Sequence, residues 1–372
     1  MIHRINYKRT KYFFFAFSLI LAFSFIGIES SLGVLLKTLT FISFGIFSYL
    51  FITSASKYSQ IELLRVVLFL VLFLFISLNT KEYSLFKLML FTLAFKGLDY
   101  KLCIKYDVWL RFGLIITIYL LYVLGILQDV TGARGEDTIR HSFGFTNPNA
   151  LALAVSIFCM EFMYVYHRNH LKVKCLFVTL IMFITTSVTD SRTSLYTFVI
   201  FMALFFTNKL IPSLVRNKLF LITTQLTPIL LSVLIIYMVN SYIDNPSSQT
   251  SIMYNTLLSG RLDISAAYWK VFQPALFGNF VTGNGIIDRS IDNFYVTLFI
   301  SSGIIVALWF FVSYWILIKK LYNKGDMNLI FIFLCFTIMG ISEKLWFFVD
   351  YNILMMAFGV LLYSNKTKTL LD

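Results

Sequence analysis

Three consecutive stretches decide how this chain is read: VWLRFGLIITIYLLYVLGIL (108–127), RGEDTIRHSFGFTNPN (134–149) and ALALAVSIFCMEFMYVY (150–166). The first and third are apolar and long enough to cross a bilayer, and the second is a polar island between them. In the island, Arg134, Arg140 and His141 bring positive or titratable groups, and Gly144 permits a tight bend. Asn147-Pro148 reads as a helix start, with Asn147 as N-cap and Pro148 at the first helical position. A helix N-terminus with an arginine just upstream suits an anion.

The same alternation of apolar run and polar turn continues to both ends. Of 372 residues, 59% are hydrophobic and 13% charged, and the mean hydropathy is +0.81, which no ordinary soluble domain of this length shows. The runs are continuous, not alternating, so the spanning elements are helices and not strands of a barrel. Tyr12–Ile28 has a basic flank, but no small-residue cleavage site follows it, and it reads as the first span. The net charge of +13 is explained by basic loops at a membrane and implies no nucleic acid. The cysteines Cys103, Cys159, Cys175 and Cys335 form no CxxC, so neither disulfides nor a cysteine-bound metal is expected.

Twelve spans are expected, near 12–28, 35–53, 62–78, 84–98, 108–127, 149–166, 175–189, 193–207, 219–240, 293–318, 328–342 and 347–363. With the N-terminus inside, 21 of the 31 Lys and Arg fall at inner loops and ends, so both termini are expected in the cytoplasm. The expectation is thus an all-α polytopic protein, 1–372 forming one integral membrane domain. The sequence contains no P-loop, dinucleotide fingerprint, kinase motif set or HExxH. HRNH (167–170) reads as a solvated basic inner loop.

In this orientation two outer loops, 128–148 and 241–292, stand out. Three spans start outside with similar vocabulary: Arg140-His141 before Asn147-Pro148-Asn149, then Asp190-Ser191-Arg192-Thr193, then Asp288-Arg289 before Asp292-Asn293. Charge at such depths usually faces a bundle interior or a wet cavity. Ser259-Gly260-Arg261 precedes LDISAAYWKVF, an expected amphipathic surface helix with Arg261 in its first turn and Ile264, Ala267, Tyr268 and Val271 on its apolar face. Arginine forks suit a diphosphate, and Arg140, Arg192 and Arg261 are expected to share one such site. Asp292 has two readings, a helix N-cap or a base.

RHSFGFTNPNALA (140–152), SRT (191–193), SGRLDISAAYW (259–269), GNG (283–285) and DNFYVTLFISSGII (292–305) resemble, in order and spacing, the O-antigen and capsule polymerases (Wzy-type) and the related O-antigen ligases. The resemblance covers about residues 108–305. It implies about a dozen helices in a fold like that of GT-C-type lipid-dependent glycosyltransferases. It also implies metal-independent, cofactor-free transfer of a glycan from undecaprenyl diphosphate, on the outer face of a bacterial cytoplasmic membrane. Catalysis would fall to Asp292, Arg140, Arg192 and Arg261, and substrate contacts to His141, Asn147, Asn149, Ser191, Arg289, Asn293 and Tyr295. Such relatives often carry a histidine where this chain has Asp292. Implied partners are a lipid-linked oligosaccharide, membrane lipid, a flippase and a chain-length regulator. The competing readings are a ligase, a lipid-oligosaccharide flippase and a membrane scaffold. A flippase should carry charge deep in mid-helix, whereas the polar residues noted above gather at outer helix ends.

Overall fold

A computed structural model describes residues 2–26, 31–55, 58–96, 98–134, 138–281, 291–352 and 354–362. In chain order the elements are α1 Ile2–Ile26, α2 Ser31–Ile52, α3 Gln60–Thr80, α4 Ser84–Ala94, α5 Tyr100–Val123, β1 Gly132–Arg134, β2 Thr138–Arg140, α6 Pro148–Tyr166, α7 Leu171–Thr189 and α8 Arg192–Leu210. There follow α9 Pro212–Val215, α10 Lys218–Asp244, α11 Gln249–Leu257, α12 Arg261–Val271, α13 Phe294–Thr297, α14 Ile304–Asn323, α15 Met327–Met339 and α16 Met355–Leu362. The strands form a small antiparallel hairpin with Ala133 opposite Ile139. Among the described residues, 8 helices are long and apolar enough to cross a membrane: α1, α3, α5, α6, α7, α8, α10 and α14. This is the architecture of a multi-pass helical membrane protein.

Local chemistry sets the element ends. Asp99 accepts the Lys101 N–H and starts α5 eight residues before the apolar run begins, and the helix stops just before Gly125, at φ 72°. The Asn147 side chain accepts the Ala150 N–H and Pro148 opens α6, as the sequence predicts. The tenth expected span is broken. A short α13 runs into a π-helical turn, Leu298–Ser302, and α14 begins only after Gly303. Gly303 has φ 92°, and a Cβ there would lie 2.3 Å from the Gly278 backbone nitrogen, so the break is a close crossing of two backbones. The twelfth expected span is not one helix either: a 3₁₀ turn at Leu345–Phe347 and non-helical backbone precede α16. The fourth is the 11-residue α4 and the eleventh the 13-residue α15, both short for a crossing.

The chain divides into two compact units, one of residues 1–63, 90–203 and 349–372, the other of 64–89 and 204–348. The first is built around α6, 72% of whose apolar window is buried, against 17% for α7. Its core includes a cluster of Phe13, Phe17, Phe47 and Phe91. In the second unit, Phe294, Phe310, Tyr314, Phe333 and Phe336 surround the buried Trp346 indole. Leu64, Leu68 and Val71, one stripe of α3, are about three-fifths exposed, as a lipid-facing stripe should be.

Candidate functional site

In the first unit the α5–α6 loop is tied into a knot around one carboxylate. Asp129 Oδ1 accepts the backbone N–H groups of Ser142 (2.8 Å) and Phe143 (3.0 Å), and Oδ2 lies 2.6 Å from His141 Nδ1. Ser142 Oγ in turn accepts the Val130 N–H at 2.8 Å. Partial burial pushes the Asp129 carboxyl up, but the hydrogen bonds from His141, Ser142 and Phe143 and the charge on His141 outweigh it and hold the carboxyl below its ordinary value. Phe143 and Gly144 take positive φ, 47° and 89°. A Cβ on Gly144 would sit 3.1 Å from Tyr122 Cβ and 3.2 Å from the Ile118 carbonyl, so the bend is pressed onto α5.

The knot is pinned to its neighbours. The His141 N–H donates to Val188 O at 3.0 Å, Arg140 Nε to Thr189 O at 2.5 Å, and Arg140 Nη2 to Asn149 Oδ1. Arg140 therefore joins the loop, the last residue of α7 and the first turn of α6. The Thr146 N–H donates to Phe25 O. The His141 ring stacks on Phe143 at 5.7 Å and 10°. Beside this, Asp190 is left-handed (φ 44°) in the tight α7–α8 turn, buried Ser191 donates to Ser194 Oγ, and Arg192 is exposed at the first position of α8.

In the second unit Arg261 is shared by two carboxylates. Nη2 donates to Glu343 Oε1 at 2.7 Å, and Nε lies 3.5 Å from Asp292 Oδ2. Arg261 does open α12, as the sequence predicts, with Asn255 Oδ1 accepting the Leu262 and Asp263 N–H groups. The expected apolar face is corrected: Leu262, Ser265, Ala266 and Tyr268 are buried, while Ala267 and Val271 are exposed, because α12 packs against α10 and α11. Burial pushes the Tyr268 hydroxyl up. The N-cap reading of Asp292 also gives way, since Asn293 holds the cap through the Val296 N–H. Asn293 also donates to Ile341 O, and Tyr295, fully buried, donates to Thr337 O at 2.7 Å. Both side chains are hydrogen-bonded within the fold.

The expected residues thus fall into two groups: Arg140, His141, Asn147, Asn149, Ser191 and Arg192 in the first unit, and Arg261, Asp292, Asn293 and Tyr295 in the second. Arg289 and the GNG turn lie outside the described residues. Among the described residues no cluster of three His, Cys, Asp or Glu could hold a metal ion.

Another polar cluster corrects the expectation that charge stays at helix ends. Asp107 and Arg111 on α5 and Glu161 on α6 are all fully buried within spans. Arg111 Nε donates to Asp107 Oδ2 at 2.8 Å and lies 3.8 Å from Glu161 Oε2, and Nη2 donates to Asp350 O at 2.9 Å. The i, i+4 spacing of Asp107 and Arg111 and the lone Glu161 in an apolar run were visible signals. Asp129 and Glu343 carried no local signal, because 12 and 82 residues separate them from His141 and Arg261.

Compared with known proteins, the chain matches no family model, no curated protein and no solved structure.

Proposed function

We propose that this chain is a membrane glycosyltransferase that polymerises lipid-diphosphate-linked oligosaccharide repeat units into a surface polysaccharide. The observation that carries the reading is the α5–α6 loop. Its motif residues do not form a solvated linker. They build a fixed polar surface that presents His141 and Arg140 beside the first turn of α6. Fixed donors at a departing diphosphate are the help that this reaction needs most, because lipid diphosphate is already a good leaving group. Arg140 and Arg192, both in the first unit, are the proposed diphosphate ligands. The lipid-linked unit would be undecaprenyl-based and would react on the outer face of the cytoplasmic membrane. A ligase that moves the glycan to another acceptor would use the same groups.

The test is polymer formation by purified protein in proteoliposomes, given lipid-linked oligosaccharides extracted from cells lacking the chain. A ladder of lengthened glycans is expected. Single units that persist unchanged with the active-loop sequence intact would sink the proposal. Arg192→Ala should stop the ladder, and Arg192→Lys should restore part of it.

One observation favours a second reading, a transporter of lipid-linked oligosaccharide. Asp107, Arg111 and Glu161 place charge inside the spans, where carriers concentrate it. Movement of the same labelled lipids across the bilayer with no new glycosidic bond would decide for it.

A further inference from the structure

We propose that His141 is the base of the transfer reaction and that Asp129 is its positioning residue; this rests on the glycosyltransferase reading above. The imidazole is held at one nitrogen and on one face, and its backbone is anchored. Nδ1 meets Asp129 Oδ2 at 2.6 Å, the ring face lies on Phe143, and the backbone N–H is bonded to Val188 O. The carboxylate is fixed in turn by the Ser142 and Phe143 N–H groups, which neutral donors supply at no cost in charge. An acceptor-only carboxylate at Nδ1 fixes the tautomer: Nδ1 carries the hydrogen and Nε2 the lone pair. The side chain is 41% exposed, which leaves part of the ring open to a solute hydroxyl. A histidine on a plain loop would have none of these constraints. The alternative acceptor, Asp292, has an oxygen facing a guanidinium already.

The step balances as follows. The acceptor sugar's hydroxyl oxygen attacks the anomeric carbon of the donor, and its proton passes to His141 Nε2. The bond from the anomeric carbon to the phosphate oxygen breaks, with its electron pair leaving on the lipid diphosphate. The imidazolium then releases its proton to water. Asp129 stays a carboxylate throughout and stabilises the transient imidazolium.

The experiment uses full-length protein in proteoliposomes with the extracted lipid-linked oligosaccharides as substrate and undecaprenyl diphosphate as the binding probe. His141→Gln should lower turnover by about 10²–10⁴-fold while probe binding stays within about threefold. Asp129→Asn should lower turnover with folding intact and change the acid side of the pH profile, which a merely structural carboxylate would not do. Free imidazole should restore turnover to His141→Gly. If these variants do not fold, the wild-type protein still answers. Diethyl pyrocarbonate should inactivate it in step with carbethoxylation of His141, mapped by mass spectrometry, and substrate should protect. Wild-type turnover and pH profile in His141→Gln, or full activity with His141 carbethoxylated, would overturn the base assignment and leave the glycosyltransferase standing. A wild-type protein that forms no glycosidic bond with these substrates overturns both.

Discussion

Two polar clusters in the same unit use similar groups to opposite ends. In the α5–α6 loop, one carboxylate is satisfied mainly by backbone N–H donors and a histidine, and the cluster is partly open to solvent. Between α5 and α6, one guanidinium serves two carboxyl groups with no exposure at all. In the loop, the partly exposed His141–Asp129 pair is screened by water and is individually weak. Between the helices nothing screens, so the partners depend on each other, and removing one leaves another buried and uncompensated. In the buried cluster Arg111 Nη1 has no protein hydrogen-bond partner, which heightens that dependence. The loop is arranged to present groups outward, and the buried cluster to bind its own helices together.

The comparison is most sharply broken by Arg111→Ala. It strands Asp107 between apolar helices and should cost about 3–5 kcal/mol, seen as loss of folded protein or a large drop in melting temperature in detergent. A small effect there would mean that the buried cluster is hydrated, and the contrast with the loop would collapse. Acid should act on the loop in a smaller and graded way. Because the Asp129 carboxyl is held below its ordinary value in the folded protein, it contributes stability above the unfolded-state value. That contribution is lost as pH falls through the folded-state value. Melting of wild type and Asp129→Asn across acidic pH checks this: the two curves should differ at neutral pH and converge at the acid end. Smallest is Asn147→Ala, which removes one capping bond to the Ala150 N–H and should cost about 1 kcal/mol, read from the same melts. A larger loss would mean that the start of α6 depends on the cap more than on Arg140's bond to Asn149.

Much of the architecture was legible because it follows from transfer of side chains out of water. Apolar runs marked α1, α3, α5, α6, α7, α8, α10 and α14, and Asn147-Pro148 marked a helix start through chemistry confined to four residues. The break at Gly303 was not legible. An apolar run scores the same whether its backbone is continuous or not, and the cause, a backbone crossing at Gly278, lies 25 residues away in sequence. Asp292 shows the same limit at the candidate site. Its sequence position allowed a cap or a base, and the neighbouring Asn293 took the cap.

By itself the sequence determined that this chain is a bundle of apolar helices, where several of them begin, and which loops carry arginine and histidine. These are properties of single segments, and composition and local capping decide them. Only the tertiary structure decided which carboxylate each cation meets: Asp129 behind His141, Glu343 and Asp292 at Arg261, Asp107 and Glu161 at Arg111. Such pairs form between segments that folding brings together. A charge's worth depends on the partner and the water within a few ångströms of it, and no reading of one segment contains either.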